Sequence, residues 1–383
     1  MSKTSKSSLN FNSSGFLTIG AEVELQIIDK KSLNLSSKAN TILEDENIKS
    51  NHNIKAELFA NTVEINSKKC NNVAEIEQDL EGSFNIIAKI GENLGIDFAA
   101  TASHPLCKYI SDPYTSNDRY KKLVKNRRWI TRLLNTYGLH IHLGMKDGQD
   151  CIKFINFLSY FLPHFLAISS SSPFWEGYNT GLSSSRPINY EAMPTIGCPH
   201  LVESWKDFET FYNNLEACGS ASCTKDLWWD IRPAPRFGTL EIRVCDSTAT
   251  LQETSSVIAY IHLLSYWFND NKDNKEIPTI DDLRWLMREN KWRIMRDALD
   301  ADFVINGNFE TIPIKESILQ WLDKVSPYII QLKYEKYVKD LKEIISCGNS
   351  SQRQQNIYQK TKSVKEVIKL NINEFVNRKP LWQ

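Results

Sequence analysis

The chain has 383 residues, room for one large domain or two ordinary ones. Its 41% hydrophobic and 24% charged content is that of a globular protein, and its longest apolar stretch, 154–168, is interrupted by Ser159, Pro163 and His164, which excludes it as a membrane span. Lys plus Arg and Asp plus Glu both total 46, so the net charge of zero argues against a dedicated nucleic-acid binder and for a small or locally recognised ligand.

Residues 1–14 are polar, lack the apolar core of a secretory signal, and read as a disordered leader to a single domain over 15–383. The eight cysteines are scattered without a Cys-x-x-Cys pair, which points to free thiols in a reducing cytoplasm. The spacing of Cys198, His200, Cys218 and Cys223 fits no recognised zinc module.

In chain order, 16–28 reads as a strand, and 54–66 as a second strand or a hairpin turning at Phe59-Ala60-Asn61. Val73, Ile76, Leu80, Phe84, Ile87 and Leu94 recur at helical spacing. Asn72 with Glu75 resembles a capping box at the start of this helix, and Gly95 marks its end. A short apolar strand follows over 96–103. Residues 118–134 read as a Lys/Arg-rich helix, 138–144 as a strand, and 151–170 as an apolar helix broken or kinked at Pro163. The Ser/Gly/Pro-rich stretch 171–199 is a loop long enough to be functional. Residues 225–232 and 237–245 suggest a hairpin turning at Pro233-Ala234-Pro235-Arg236. Helices are expected over 251–268, 281–298, 314–325 and much of 330–376, with a small hairpin at 301–313. The pattern gives an α+β class with a mostly antiparallel sheet, helices packed on one face and carboxylates lining the other.

That carboxylate-lined face follows from a repeated local pattern. Glu22 and Glu24, Glu64 with Asn66, His140 and His142, and Glu241 with Arg243 each sit two residues apart, with aliphatic residues between them. A strand has period two, so each pair projects to one face and the aliphatics to the other. Two carboxylates about 4 Å apart repel by roughly 4 kcal/mol at an effective dielectric of 20, so a shared surface of this kind calls for cations. Each residue alone has an ordinary reading: a surface Glu, a satisfied core His, a cross-strand Glu–Arg pair. Together they point to a metal site, and hard carboxylate oxygens with one imidazole suit Mg²⁺ or Mn²⁺ better than Zn²⁺. Glu57 reads as a loop residue. Arg243, Arg232, Arg236 and Arg186 are candidate anion-binding groups, since a guanidinium offers a planar fork of donors to carboxylate or phosphate. No Walker A and no Gly-x-Gly-x-x-Gly after a strand occurs, so any nucleotide phosphates would be held by metals and arginines. Trp228, Trp229, Trp285 and Trp292 could stack a base, although buried tryptophans are the commoner case.

Taken in order, several blocks resemble the glutamate–cysteine ligase 2 family, also called the carboxylate–amine ligases, of the glutamine synthetase-like superfamily. They are Gly20-Ala-Glu22-Val-Glu24, Thr101-Ala-Ser-His104-Pro105, Gly138-Leu-His140-Ile-His142-Leu-Gly144, Ser172 to Gly181, Ser184-Ser-Arg186-Pro187, Trp229-Asp230-Ile-Arg232-Pro233, Arg236 to Asp246 and Arg288-Glu-Asn-Lys291-Trp292. The resemblance implies a glutamine synthetase-like catalytic fold and an ATP-dependent ligase that activates a carboxylate as an acyl phosphate for attack by an amine. Glutamate and cysteine would give γ-glutamylcysteine, the entry to glutathione biosynthesis. It further implies that Glu22, Glu24, Glu64, His140 and Glu241 hold Mg²⁺, with Mn²⁺ as the other candidate ion. Arg243 and Arg232, with Glu241, would serve catalysis. Arg236, Arg186 and Lys291 would bind ATP or orient substrates, as would His104. The implied partners are a small carboxylate and a small amine, with no nucleic acid and no membrane, in a cytoplasmic homodimer. Two other readings stand beside it: a zinc hydrolase built on His140 and His142, and a nucleotide-binding protein without turnover.

Overall fold

A computed structural model describes residues 9–49, 53–108, 112–115, 117–189, 191, 193, 195–273 and 276–382. Seven strands form the main sheet: β1 (Ile19–Asp29), β2 (Ile54–Ala56), β3 (Thr62–Asn66), β4 (Ile96–Ala99), β5 (Leu139–Gly144), β6 (Ile231–Ala234) and β7 (Thr239–Ile242). Their order is β6-β7-β5-β1-β3-β2, and β4 also pairs with β1. Every pairing in this sheet is antiparallel. The 11 residues of β1 are long enough to serve two neighbours along one edge, β5 through Ile19–Val23 and β4 through Gln26–Asp29.

The alternation read from the sequence sets the faces. Ile19, Ala21, Val23, Leu25 and Ile27 of β1 are at most 2% exposed and join one large core, whereas Glu22 and Glu24 look away from it. Helix α1 (Val73–Leu94) packs on this apolar face. Asn72 caps it by accepting the Glu75 amide, and Gly95 ends it at φ +66°, a left-handed conformation that costs glycine little. Helix α6 (Leu251–Asp270) is buried around nearly its whole circumference and runs through the centre of the core. Each Leu or Ile buried there contributes about 1.5–3 kcal/mol.

The segment expected as one kinked helix is two, α3 (Gly148–Ser159) and α4 (Leu162–Ser169), bent by 60°. Pro163 occupies the first turn of α4, where its missing N–H removes no intrahelical bond. No single described helix is long and apolar enough to cross a membrane, and this bent pair lies in the core. The basic segment is also divided, into α2 (Asp118–Arg127) and a 3₁₀ turn, Arg128–Leu134. Helix α5 (Trp205–Ala217), capped by Ser204, had no counterpart in the sequence reading. Helices α7 (Ile280–Asp297) and α8 (Ile314–Lys324) fall where expected, with the hairpin Asp302–Val304/Thr311–Pro313 between them. The expected 330–376 helix is broken into shorter ones, α9 (Ser326–Leu332), α10 (Glu335–Cys347), α11 (Ser350–Thr361) and α12 (Val364–Asn377).

Residues 1–8 of the expected leader lie outside the described residues. Leu9 to Ser14 are held against the domain. The Leu9 amide donates to Glu209, the Asn12 amide to the Pro235 carbonyl, and the Ser13 hydroxyl to the Met145 carbonyl. Phe11 packs edge-on against Trp205.

Candidate functional site

Antiparallel register lines the polar face of the sheet in rows. Glu22 lies opposite His140 on one side and Asn66 on the other. Glu24 is opposite Glu64, and Glu64 is opposite Lys55. Glu241 is flanked by His142 and Arg232. This surface is the floor of an open cleft of about 310 Å³. Three groups of donor atoms on it converge within 4.8 Å: Glu22, Glu64 and His140; Glu22, His142 and Glu241; Glu24, Glu57 and Glu64. Glu22 and Glu64 each belong to two groups, so the floor is one connected field of donors.

The electrostatics are uneven across it. Burial and the neighbouring Glu64 push the Glu24 carboxyl up to about 7, although Arg186 and the Gly138 amide oppose this. Burial, then Glu64 and Glu24, push Glu57 well above the ordinary carboxylate range, and burial and Glu22 raise Glu64. Burial opposes charge on Glu22 as well, but its contacts with His140 and His142 hold it well below the usual value. Burial and the Arg243 charge lower His140 to about 4, so it is neutral at pH 7. Burial opposes charge on His142, but Glu22 and Glu241 raise its pKa above the ordinary value. His140 Nδ1 is 3.4 Å from Glu22, while its buried Nε2 has no hydrogen-bond partner. Among the described residues, no lysine or arginine forms an ion pair with Glu22, Glu24, Glu57 or Glu64.

The arginines are committed to protein partners. Arg232 grips Glu241 through Nε and Nη2 at 2.8 and 3.0 Å, and Arg243 closes on the same carboxylate. Both guanidinium charges hold Glu241 far below the ordinary range although it is buried. Arg186 donates to the carbonyls of Arg243 and Cys245 at 3.3 and 3.2 Å. Its guanidinium fits because residue 138 is glycine; a Cβ there would collide with Arg186 and approach His140 Nε2 to 2.9 Å. Buried Asp246 anchors the loop that carries Arg186. It accepts from the Ser171 amide and the Ser172 and Ser184 hydroxyls at 3.0, 2.8 and 3.0 Å. Two serines of the expected functional loop thus give their hydroxyls to one carboxylate, while Ser171, Ser183 and Ser185 donate theirs to backbone carbonyls.

The structure brings Glu22, Glu24, Glu64, His140, Glu241, Arg232, Arg243 and Arg186 into one cleft. Lys291 and Arg236 do not line it. Lys291, on α7, is 5% exposed, and its ammonium contacts both oxygens of Asp230 at 2.8 and 2.7 Å and also Glu191. Arg236 stands exposed in the turn between β6 and β7. His104 is buried on the Leu33 carbonyl and the Leu106 amide, away from the cleft. Trp228 and Trp229 line the cleft, whereas Trp285 and Trp292 lie on the exposed face of α7. Glu57, read as a loop residue, does follow β2 in a connector, yet its side chain reaches Glu24 and Glu64, and Tyr120 donates to it at 3.2 Å. No periodicity marks that position. His142 and Lys225 also line the cleft, and only the H-x-H spacing had signalled the first.

Solved structures share this architecture. A glutamate–cysteine ligase from Francisella tularensis, crystallised with AMP, superposes with a TM-score of 0.68 at 12% identity over 95% of this chain and 90% of that one. The ligase PafA in complex with the ubiquitin-like protein Pup gives 0.51 at 12% identity, over 93% of this chain and 72% of that one. At such identities the likeness is one of fold. The description "Glutamate-cysteine ligase family 2" matches residues 18–370, so the chain belongs to this family. Proteins named "Putative glutamate--cysteine ligase 2" are 38% identical in Bdellovibrio bacteriovorus, over 94% of both chains, and 33% identical in Thermobifida fusca, over 96% of this chain and 93% of that one. The protein is an ATP-dependent amide ligase.

Proposed function

We propose that the protein joins L-glutamate to L-cysteine, with ATP as phosphoryl donor, through a γ-glutamyl phosphate that the cysteine amine attacks, releasing ADP and phosphate. The names of its relatives support these substrates. The carrying observation for the chemistry is the field of donors made by Glu22, Glu24, Glu57, Glu64, His140, His142 and Glu241 on one sheet face. These residues fit divalent cations. The carboxylates repel one another in a buried setting, and the orphaned Nε2 of His140 lacks a partner. Hard oxygen donors with single imidazoles suit Mg²⁺ or Mn²⁺. Glu22, Glu24, Glu64, His140 and Glu241 would hold them, with Glu57 and His142 added from the geometry. Such ions would neutralise phosphate charge.

The chain's own groups supply the rest. Arg243 and Arg232, fixed by Glu241, present positive charge beside the donor field, where phosphoryl transfer develops negative charge. Arg186 holds a further positive charge beside Glu24. No described group of donors contains both histidines, which favours this reading over a zinc hydrolase. The test is ADP release from Mg²⁺-ATP. A requirement for both glutamate and cysteine supports the full proposal, dependence on another acid–amine pair replaces the substrates, and no ADP with any pair defeats it. Glu241→Gln loosens both arginines and should cut turnover by about 10³-fold or more with far-UV circular dichroism unchanged. Retained activity would remove Glu241 from the mechanism.

A further inference from the structure

The cations committed to protein partners leave a different pair open. Lys225 and Arg119 both line the cleft. Among the described residues neither makes an ion pair or a side-chain hydrogen bond; the recorded contact of the Lys225 ammonium is with the Phe237 ring, 5.3 Å from its centroid. Lys225 is nevertheless held in place from below. Its carbonyl accepts from Arg232 Nη1 at 2.9 Å and from the Trp228 indole at 3.0 Å, so the arginine that grips Glu241 also fixes the backbone of Lys225. It sits in a 3₁₀ turn, Thr224–Asp226, which Asp226 ties by accepting from the Ser222 and Cys223 amides. Burial lowers the Lys225 pKa, and the positive charges of Arg119 and Arg236 lower it further. Glu22 acts on Lys225, and Arg119 on Asp226, through charge alone, without an ion pair among the described residues. Like charges on a rigid support in a cleft, with no carboxylate in contact, are arranged for an anion to come between them.

We propose that Lys225 and Arg119 form an anion subsite on the wall of this cleft, which takes the non-reacting carboxylate or phosphate oxygens of a substrate. The proposal rests on the reading of the cleft as a ligase site and goes on to say where the substrate's second anionic group lies. The reacting phosphoryl group belongs with the donor field and with Arg232 and Arg243. The part of the ligand that leaves the donor field would meet Lys225, beside Phe237, and Arg119, on α2, in the same cleft. Phe237, 48% exposed and edge-on to His142, lines the cleft beside Lys225.

The experiment uses the full chain and the variants Lys225→Met, Lys225→Arg and Arg119→Met, with thermal unfolding as the check of folding. Calorimetry measures binding of a non-hydrolysable ATP analogue with Mg²⁺, of inorganic tripolyphosphate and of L-glutamate, and ADP release gives the KM of each substrate. A lost charge-assisted contact should weaken one of these anions roughly tenfold or more in Lys225→Met, less in Lys225→Arg, with kcat moving less than KM. Arg119→Met should weaken the same ligand. Loss for the nucleotide analogue and tripolyphosphate assigns phosphate oxygens; loss for glutamate alone assigns a carboxylate. Affinities and KM values within twofold of the parent for every probe overturn the subsite, as does a parent protein that binds none of the probes. Because calorimetry needs no turnover, a failure of the ligase assay is distinguishable from a failure of the subsite.

Discussion

Two buried clusters of charge in this molecule are built on opposite principles. Behind the core, Arg353 on α11 is 4% exposed and meets Glu374 on α12 through Nε and Nη2 at 2.5 and 3.2 Å, Glu253 on α6 at 2.8 Å, and the Gly348 carbonyl at 3.1 Å. Its acids are satisfied in turn. Glu253 accepts from Thr250, and Glu374 accepts from the Leu381 amide. The cleft floor has Glu22, Glu24, Glu57 and Glu64 close together; two histidines stand 3.4 and 3.6 Å from Glu22, and among the described residues no lysine or arginine forms an ion pair with any of the four. The closed cluster ties three helices and the chain end together. The open one is a charge field waiting for cations, in which burial first and neighbouring carboxylates second raise Glu24, Glu57 and Glu64. A protein places unsatisfied charge where ligands complete it and satisfied charge where only the fold depends on it.

The strongest way to break this comparison is Arg353→Met. It leaves two acids buried without their cation, and should cost about 3–5 kcal/mol of stability in urea unfolding. Turnover per folded molecule should stay near that of the parent. A variant as stable as the parent would show that the hub is not structural.

Next comes His164, which is fully buried between the Tyr260 and Ser317 hydroxyls and whose pKa burial lowers to about 3. The unfolded chain protonates this histidine near its ordinary value of about 6.5 while the folded chain keeps it neutral. Its contribution is therefore complete above about pH 6.5 and shrinks as pH falls towards the folded value, by roughly 1.4 kcal/mol per pH unit. The stability gap between the parent and His164→Gln should narrow on acidification by that slope. A gap independent of pH between 7 and 5 would contradict the buried neutral state.

The smallest expected effect is at the open cluster. Mg²⁺ should raise the parent's unfolding temperature by mass action, since the donor field exists only in the folded chain. Glu57→Gln removes one of the repelling carboxylates. In metal-free buffer it should be at least as stable as the parent, and its response to Mg²⁺ should be smaller. An identical Mg²⁺ response would exclude Glu57 from the cation field.

Local units and the faces of the strands are legible in the order of residues alone. The alternation of aliphatics with acids in β1 and with histidines in β5 decided which side chains meet the core, because a strand has period two. Asn72, Glu75 and Gly95 marked both ends of α1, since capping is a local hydrogen-bond matter. What only the tertiary structure decided is which polar groups meet and which charges remain open. The pairing of Glu22 with His140 depends on register between strands distant in sequence. Residues 225–232 read as a continuous strand. Instead Trp228–Trp229 pairs in parallel with Ile196–Gly197, and a 3₁₀ turn directs Lys225 into the cleft while Arg236 is left at the exposed turn. Lys291, expected from the sequence as an ATP- or substrate-binding group, lies against Asp230 and Glu191 outside the cleft lining. Glu57 carries no pattern at all, because its position is set by the connector that returns β2 to β3. Backbone propensity and periodicity act over a few residues. The Coulomb field of the cleft is a sum over groups from strands, loops and a helix, and it exists only once the fold has brought them within a few ångströms of one another.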